Sequence, residues 1–100
     1  MQYAVKFSRL AIQDLREICD WYENKSAGLS DRFLDALQLT IDQIADNPQR
    51  FLEKEGGARM ALLRKFPYKV FYMVNEAKRT VRVVVLMHRA RHPKVWQKRL

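Results

Sequence analysis

The sequence predicts an α+β fold in the order β-α-α-β-β-β: an N-terminal helical hairpin packed on a small, mainly antiparallel twisted sheet, with a short C-terminal helix or tail. Three observations predict it. Residues 9–46 carry two apolar stripes at helical spacing. Residues 58–89 carry three strand-like runs separated by turn residues. The two patterns are segregated along the chain, with one short strand ahead of the helices, so the helices should share one face of the sheet.

Residues 2–7 alternate polar and apolar side chains and read as the first strand. Ser8 follows, and its hydroxyl can accept from free N–H groups in the first turn of a helix. Ala11, Leu15, Ile18 and Tyr22 then fall four, three and four apart on one stripe. Asp14, Glu17, Asp20 and Glu23 recur at three-residue steps and read as the solvated side of that helix. Cys19 sits beside the stripe as a small core residue. Residues 24–28 are small and polar and break the helix. Leu29, Phe33, Leu37, Ile41 and Ile44 mark the inner side of a second helix, which Asn47-Pro48 ends. The short connection between the stripes favours a helical hairpin. After a polar loop over residues 49–57, strands are expected at about 58–65, 68–75 and 81–89. Pro67 separates the first two, and residues 75–80 make a hairpin turn. The run Val81-Arg82-Val83-Val84-Val85-Leu86-Met87 is apolar almost throughout, as in a central strand covered on both faces. Pro93 suits the first turn of a short terminal helix carrying Trp96 and Arg99.

The totals limit what such a chain can do. One hundred residues make one domain, with room for a single core but not for an elaborate enclosed pocket. No apolar run approaches the roughly 20 residues of a membrane span, and the first residues lack the build of a signal peptide. A single cysteine excludes an internal disulfide and fits a reducing cytoplasm. Net charge is +8, unevenly placed. Residues 1–50 hold six Lys/Arg against eight Asp/Glu, a net of −2, whereas residues 51–100 hold thirteen against three, a net of +10. That asymmetry points to a polyanionic partner, either nucleic acid or an acidic polypeptide.

The cations Arg59, Arg64, Lys65, Lys69, Arg89, Arg91, Lys94, Lys98 and Arg99 are interleaved with Phe66, Tyr68, Tyr72 and Trp96. Those aromatics can stack on bases, or they can be core residues with a polar tip. His88 and His92 are four apart, but Arg89 and Arg91 between them repel a metal and no carboxylate or cysteine completes a site, so no metal or other cofactor is expected. His88 is a candidate general acid or base, or a histidine hydrogen-bonded at a strand end. No Ser or Cys nucleophile accompanies it, and Gly56-Gly57 alone is a turn rather than a phosphate loop.

Several of these residues recur together in one known pattern. The tyrosine-bearing first strand, Ala11-x-x-Asp14-Leu15-x-x-Ile18, Phe33, Pro48, Arg59, Phe66-Pro67-Tyr68-x-Val70-x-Tyr72 and His88-x-x-Arg91-x-Pro93-x-x-Trp96-x-x-Arg99 resemble the RelE/ParE toxin superfamily, most closely its ParE-like, plasmid-stabilisation branch. The resemblance spans nearly the whole chain and implies one toxin domain over residues 1–100. It also implies a type II toxin–antitoxin pair, in which a cognate antitoxin wraps the toxin with its C-terminal segment and forms a hetero-oligomer with it. RelE-like members cut mRNA on the ribosome without metal, whereas ParE-like members are associated with poisoning of DNA gyrase. Here Met60 and Leu62 fall where the ribonuclease branch places lysines, Ala90 falls at or beside its arginine, and Trp96 replaces its terminal tyrosine. Lys69 keeps a cation where that branch has an arginine. The resemblance therefore implies gyrase inhibition, with Arg59, Arg64, Lys69, His88, Arg89, Arg91, Trp96 and Arg99 contacting target or antitoxin. The alternative is an mRNA endonuclease relying on Arg59 and His88 with Lys69, Arg89 and Arg91.

Overall fold

The computed structural model describes residues 2–91 and 98–99. Strand β1 (Ala4–Phe7) leads into helices α1 (Arg9–Lys25) and α2 (Leu29–Asp46). Strands β2 (Leu52–Glu53), β3 (Arg59–Leu62), β4 (Tyr68–Asn75) and β5 (Thr80–His88) follow, with a 3-10 turn at Pro48–Arg50 and a tight turn at Glu55–Gly57 in which Gly56 is left-handed. The five strands form one mixed sheet in the order β1-β5-β4-β3-β2. The helical hairpin carries the chain from β1 to the far edge, and the meander walks back until β5 lies parallel to β1; the other pairings are antiparallel.

The helices form where the pattern placed them. Ser8 accepts from the Ala11 N–H at 3.1 Å, and Ala11, Ile18 and Tyr22 are buried, with Leu15 half-buried beside them. Helix α1 runs two residues into the expected break, because Ser26 N–H still closes on the Tyr22 carbonyl and Lys25 suits the negative helix end. Glu23 then ties the hairpin: its carboxylate accepts from the Gly28 and Ser30 N–H groups and the Ser30 hydroxyl. Those bonds to its charged form hold its pKa below the usual value. On α2, Phe33, Leu37 and Ile44 are buried as the stripe required. Thr40 is buried with them, satisfied by a bond from its hydroxyl to the Ala36 carbonyl.

The sheet departs from expectation in detail. The first strand is shorter than residues 2–7. Strand β2 was not foreseen: two residues, paired with Met60 and Arg59, are too short to show a periodicity. The covered central strand is β5, whose register against β4 shifts between Phe71 and Tyr72. That shift leaves Val84 extra in the ladder, so Val83, Val84 and Val85 are all buried. One face packs against the helices through Val70, Tyr72, Val81, Val83 and Leu86; the other holds Ala58, Phe71, Val84, Val85 and Met87. The short terminal helix expected around Pro93 and Trp96 lies outside the described residues. Among the described residues, no helix is long and apolar enough to cross a membrane.

Candidate protein-binding surface at one end of the sheet

The last rung of the β4–β5 ladder pairs Tyr68 with His88, and the Arg89 N–H donates to the Pro67 carbonyl at 2.8 Å. These bonds draw the loop between β3 and β4 and the end of β5 to the same end of the sheet. Underneath lies a packed aromatic floor. The Phe66 ring is 5.2 Å from Tyr22 and 5.4 Å from Phe33, and the Tyr68 ring is 5.5 Å from Phe33. Burial raises the pKa of both Tyr22 and Tyr68, as expected for phenols in an apolar setting. Phe66, Tyr68 and the fully buried Tyr72 are therefore core residues rather than faces for stacking bases. Cys19 packs against the same core, and burial pushes its thiol up, away from reactivity.

On this floor stand Arg64, Lys65, Arg89 and Arg91, all exposed. Among the described residues none of the four makes an ion pair. Lys65 adopts a left-handed backbone (φ 69°), which turns the loop back toward β4. A cleft of about 370 Å³ opens beside them, between α1 and the end of β5. Glu17, Trp21, Tyr68, His88 and Arg91 line it. Trp21 is 54% exposed, and Lys25 lies 4.9 Å from its ring. Trp21 did not stand out in the sequence, although a large aromatic off the apolar stripe of a charged helix is the signal that marks it; Glu17 read only as part of the solvated side of that helix.

His88 faces the helix side, its ring 5.3 Å from Tyr68. Its Nδ1 accepts from the Ala90 N–H at 3.0 Å, so the neutral ring carries its proton on Nε2. Lys69 points to the opposite face, because neighbouring strand residues alternate. It pairs with Leu62 and Met87, beside a rung of Met60, Phe71 and Val85. Among the described residues no cluster of His, Cys, Asp and Glu could hold a metal ion.

The family model described as ParE toxin of type II toxin–antitoxin system, parDE, matches residues 5–93. The chain belongs to the ParE toxin family. This ParE-family chain is a type II toxin of the RelE/ParE superfamily. Solved structures share its fold. The chromosomal ParDE system of P. aeruginosa superposes with a TM-score of 0.74 at 15% identity, covering 87% of this chain and 96% of that one. The RelBE2 toxin–antitoxin complex of Mycobacterium tuberculosis gives 0.64 at 24% identity, over 89% and 100%. The isolated E. coli RelE toxin gives 0.65 at 17% identity, over 96% and 94%. Among curated proteins, none matches the chain.

Two of the toxin's arginines are committed inside its own fold. Arg59 donates to the Gln49 and Phe51 carbonyls at 3.2 and 2.7 Å and pairs with Glu53 at 3.4 Å. It thus closes the loop after α2 onto the sheet. Its rung lies four residue steps along β4 from that of His88, about 13 Å along the strand. Arg99 is bonded to Asp14, which is 15% exposed and so does not belong to the solvated side of α1. Trp96 lies outside the described residues. Arg59→Ala is expected to cost about 1–3 kcal/mol in urea unfolding, since carbonyls lose a charged donor. The folded fraction should keep its ability to arrest growth; a toxin that is fully stable yet inert would make Arg59 a contact residue instead.

Proposed function

We propose that this toxin arrests growth by stoichiometric inhibition of DNA gyrase, gripping the enzyme with the cationic end of its sheet, and that a cognate antitoxin neutralises it. The observation that carries the reading is the dispersal of the groups a nuclease would need. His88, on the helix side, has its basic nitrogen occupied by the Ala90 N–H. Lys69 is on the opposite face among Leu62, Met60 and Met87, and Arg59 is engaged with loop carbonyls. A proton acceptor and a charge stabiliser acting on one phosphate must both lie within hydrogen-bond reach of it.

Arg64, Arg89 and Arg91 are the proposed contacts from the described residues, with Lys69 and His88 at their margin and Trp96 contributing from the tail. Such a rim, over a packed aromatic floor, suits a protein surface rich in carboxylates. The ParDE and RelBE neighbours are toxin–antitoxin systems, which supports a cognate antitoxin here. An antitoxin segment that is acidic and partly apolar would complement the +10 half of the chain.

The test is to add purified toxin to gyrase, supercoiled plasmid and ATP. Linear DNA should accumulate, and an equimolar amount of antitoxin should prevent it. Reversing charge at Arg89 and Arg91 together should weaken inhibition by roughly tenfold or more, most strongly at low salt. Untouched plasmid together with cleavage of ribosome-bound mRNA would overturn the proposal and return His88 to the role of a catalytic group.

A further inference from the structure

Strand β5 is nine residues long, but β1 covers only its first half, from Thr80 to Val83. Beyond that point, among the described residues, its outer edge presents the Val84 carbonyl and the Leu86 N–H with no strand beside them. Two side chains complete the edge. Asp14 Oδ2 accepts from the Leu86 N–H at 3.0 Å, and Arg99 Nη1 donates to the Val84 carbonyl at 3.0 Å. Arg99 and Asp14 also hold each other in a two-pronged pair, Nη1 to Oδ2 at 2.6 Å and Nη2 to Oδ1 at 3.0 Å. Both side chains are largely sheltered, at 20% and 15% exposure. Arg99 is therefore fixed to α1, next to the cleft that Asp14 helps to line.

We propose that Asp14 is a positioning residue for the cationic C-terminal end of the chain, acting through Arg99, and that Arg99 is an anchor rather than a target contact. This rests on the reading that the cationic end meets the target. A guanidinium that is largely sheltered and already gives three of its five N–H donors to a carboxylate and a strand carbonyl is held in place rather than offered to a partner. Removing either member releases the other, so the two residues act as one unit.

Three variants separate an anchor from a contact: Asp14→Asn, Arg99→Ala and Arg99→Lys. Asparagine keeps an acceptor for the Leu86 N–H, but it loses the charge and turns the other oxygen into a donor facing Arg99, so the pair breaks while the fold should survive. In gyrase inhibition and in growth arrest, Asp14→Asn and Arg99→Ala should each cost roughly tenfold, and the double variant should cost no more than either alone. Arg99→Lys should behave like Arg99→Ala, because an ammonium cannot reproduce the two-pronged bond. A contact would instead leave Asp14→Asn fully active and Arg99→Lys nearly so, overturning the proposal. A second readout does not depend on the target: digestion with carboxypeptidase Y, followed by mass spectrometry. Arg99 should be removed roughly tenfold faster from Asp14→Asn than from the natural chain, since cleavage follows the released population. Equal rates of removal would also overturn the anchor. If plasmid linearisation fails while the digestion rates differ, the gyrase reading falls and the anchor stands.

Discussion

Phe33→Ala is expected to destabilise the protein by about 3–5 kcal/mol, a large share of the roughly 5–15 kcal/mol that holds a domain together. Phe33 is fully buried, stacked 5.5 Å from Tyr22 and set edge-on to Phe66 and Tyr68. Four rings from three segments meet there, so the hole left by alanine would be walled by rigid groups that cannot collapse into it. Urea unfolding should show a lower midpoint with an unchanged slope. The effect should reach function as well, because Phe66 and Tyr68 seat the loop that carries Arg64 and Lys65. Phe33→Leu keeps most of the volume and should cost far less. A loss below about 1 kcal/mol for Phe33→Ala would mean that the ring cluster does not bind the helices to the sheet.

How much of this was legible in the sequence depended on the range of the interactions concerned. Helix stripes are local patterns, and Ala11, Ile18, Phe33 and Leu37 are buried where those patterns put them. The cap at Ser8 is equally local. The two-residue β2 strand has no pattern of its own and exists because Met60 and Arg59 offer it an edge. Of the site, the gathering of Arg64, Arg89 and Arg91 at one end followed from the meander and Pro67. What the charges do there did not. Arg59 and Arg99 look like the other arginines in sequence, and only their contacts in the fold (Asp14 lies 85 residues from Arg99, the Gln49 and Phe51 carbonyls 10 and 8 residues before Arg59) show that they are spent internally. Asp14 was misread for the same reason: its three-residue spacing with Glu17 and Asp20 is that of a solvated face, and β5 is what buries it.

Tyr72→Phe is expected to cost about 1–3 kcal/mol near neutral pH, and the penalty should shrink in alkali. Tyr72 is fully buried on β4, and its hydroxyl donates to the Pro48 carbonyl at 2.6 Å. This bond seats the turn that follows α2, next to the carbonyls that Arg59 holds. Phenylalanine fits the space but leaves the buried Pro48 carbonyl without its donor. Burial also pushes the Tyr72 pKa up to about 12, with the nearby Arg59 charge opposing it. In the unfolded chain the phenol titrates near 10. The folded state therefore holds the proton more tightly, and the stability this gives is complete below about pH 10 and lost as pH rises toward 12. The phenylalanine variant has no such group to lose. Tyr3, Tyr22 and Tyr68, whose pKa values are also raised, are present in both proteins and cancel in the comparison. Urea unfolding of both proteins from about pH 8 upward should show the gap narrowing by about 2 kcal/mol as Tyr72 ionises on unfolding. A gap that stays constant into strong alkali would show that the hydroxyl is not a buried donor, and the seat of the turn would then rest on Arg59 and the Gln49–Glu76 bond.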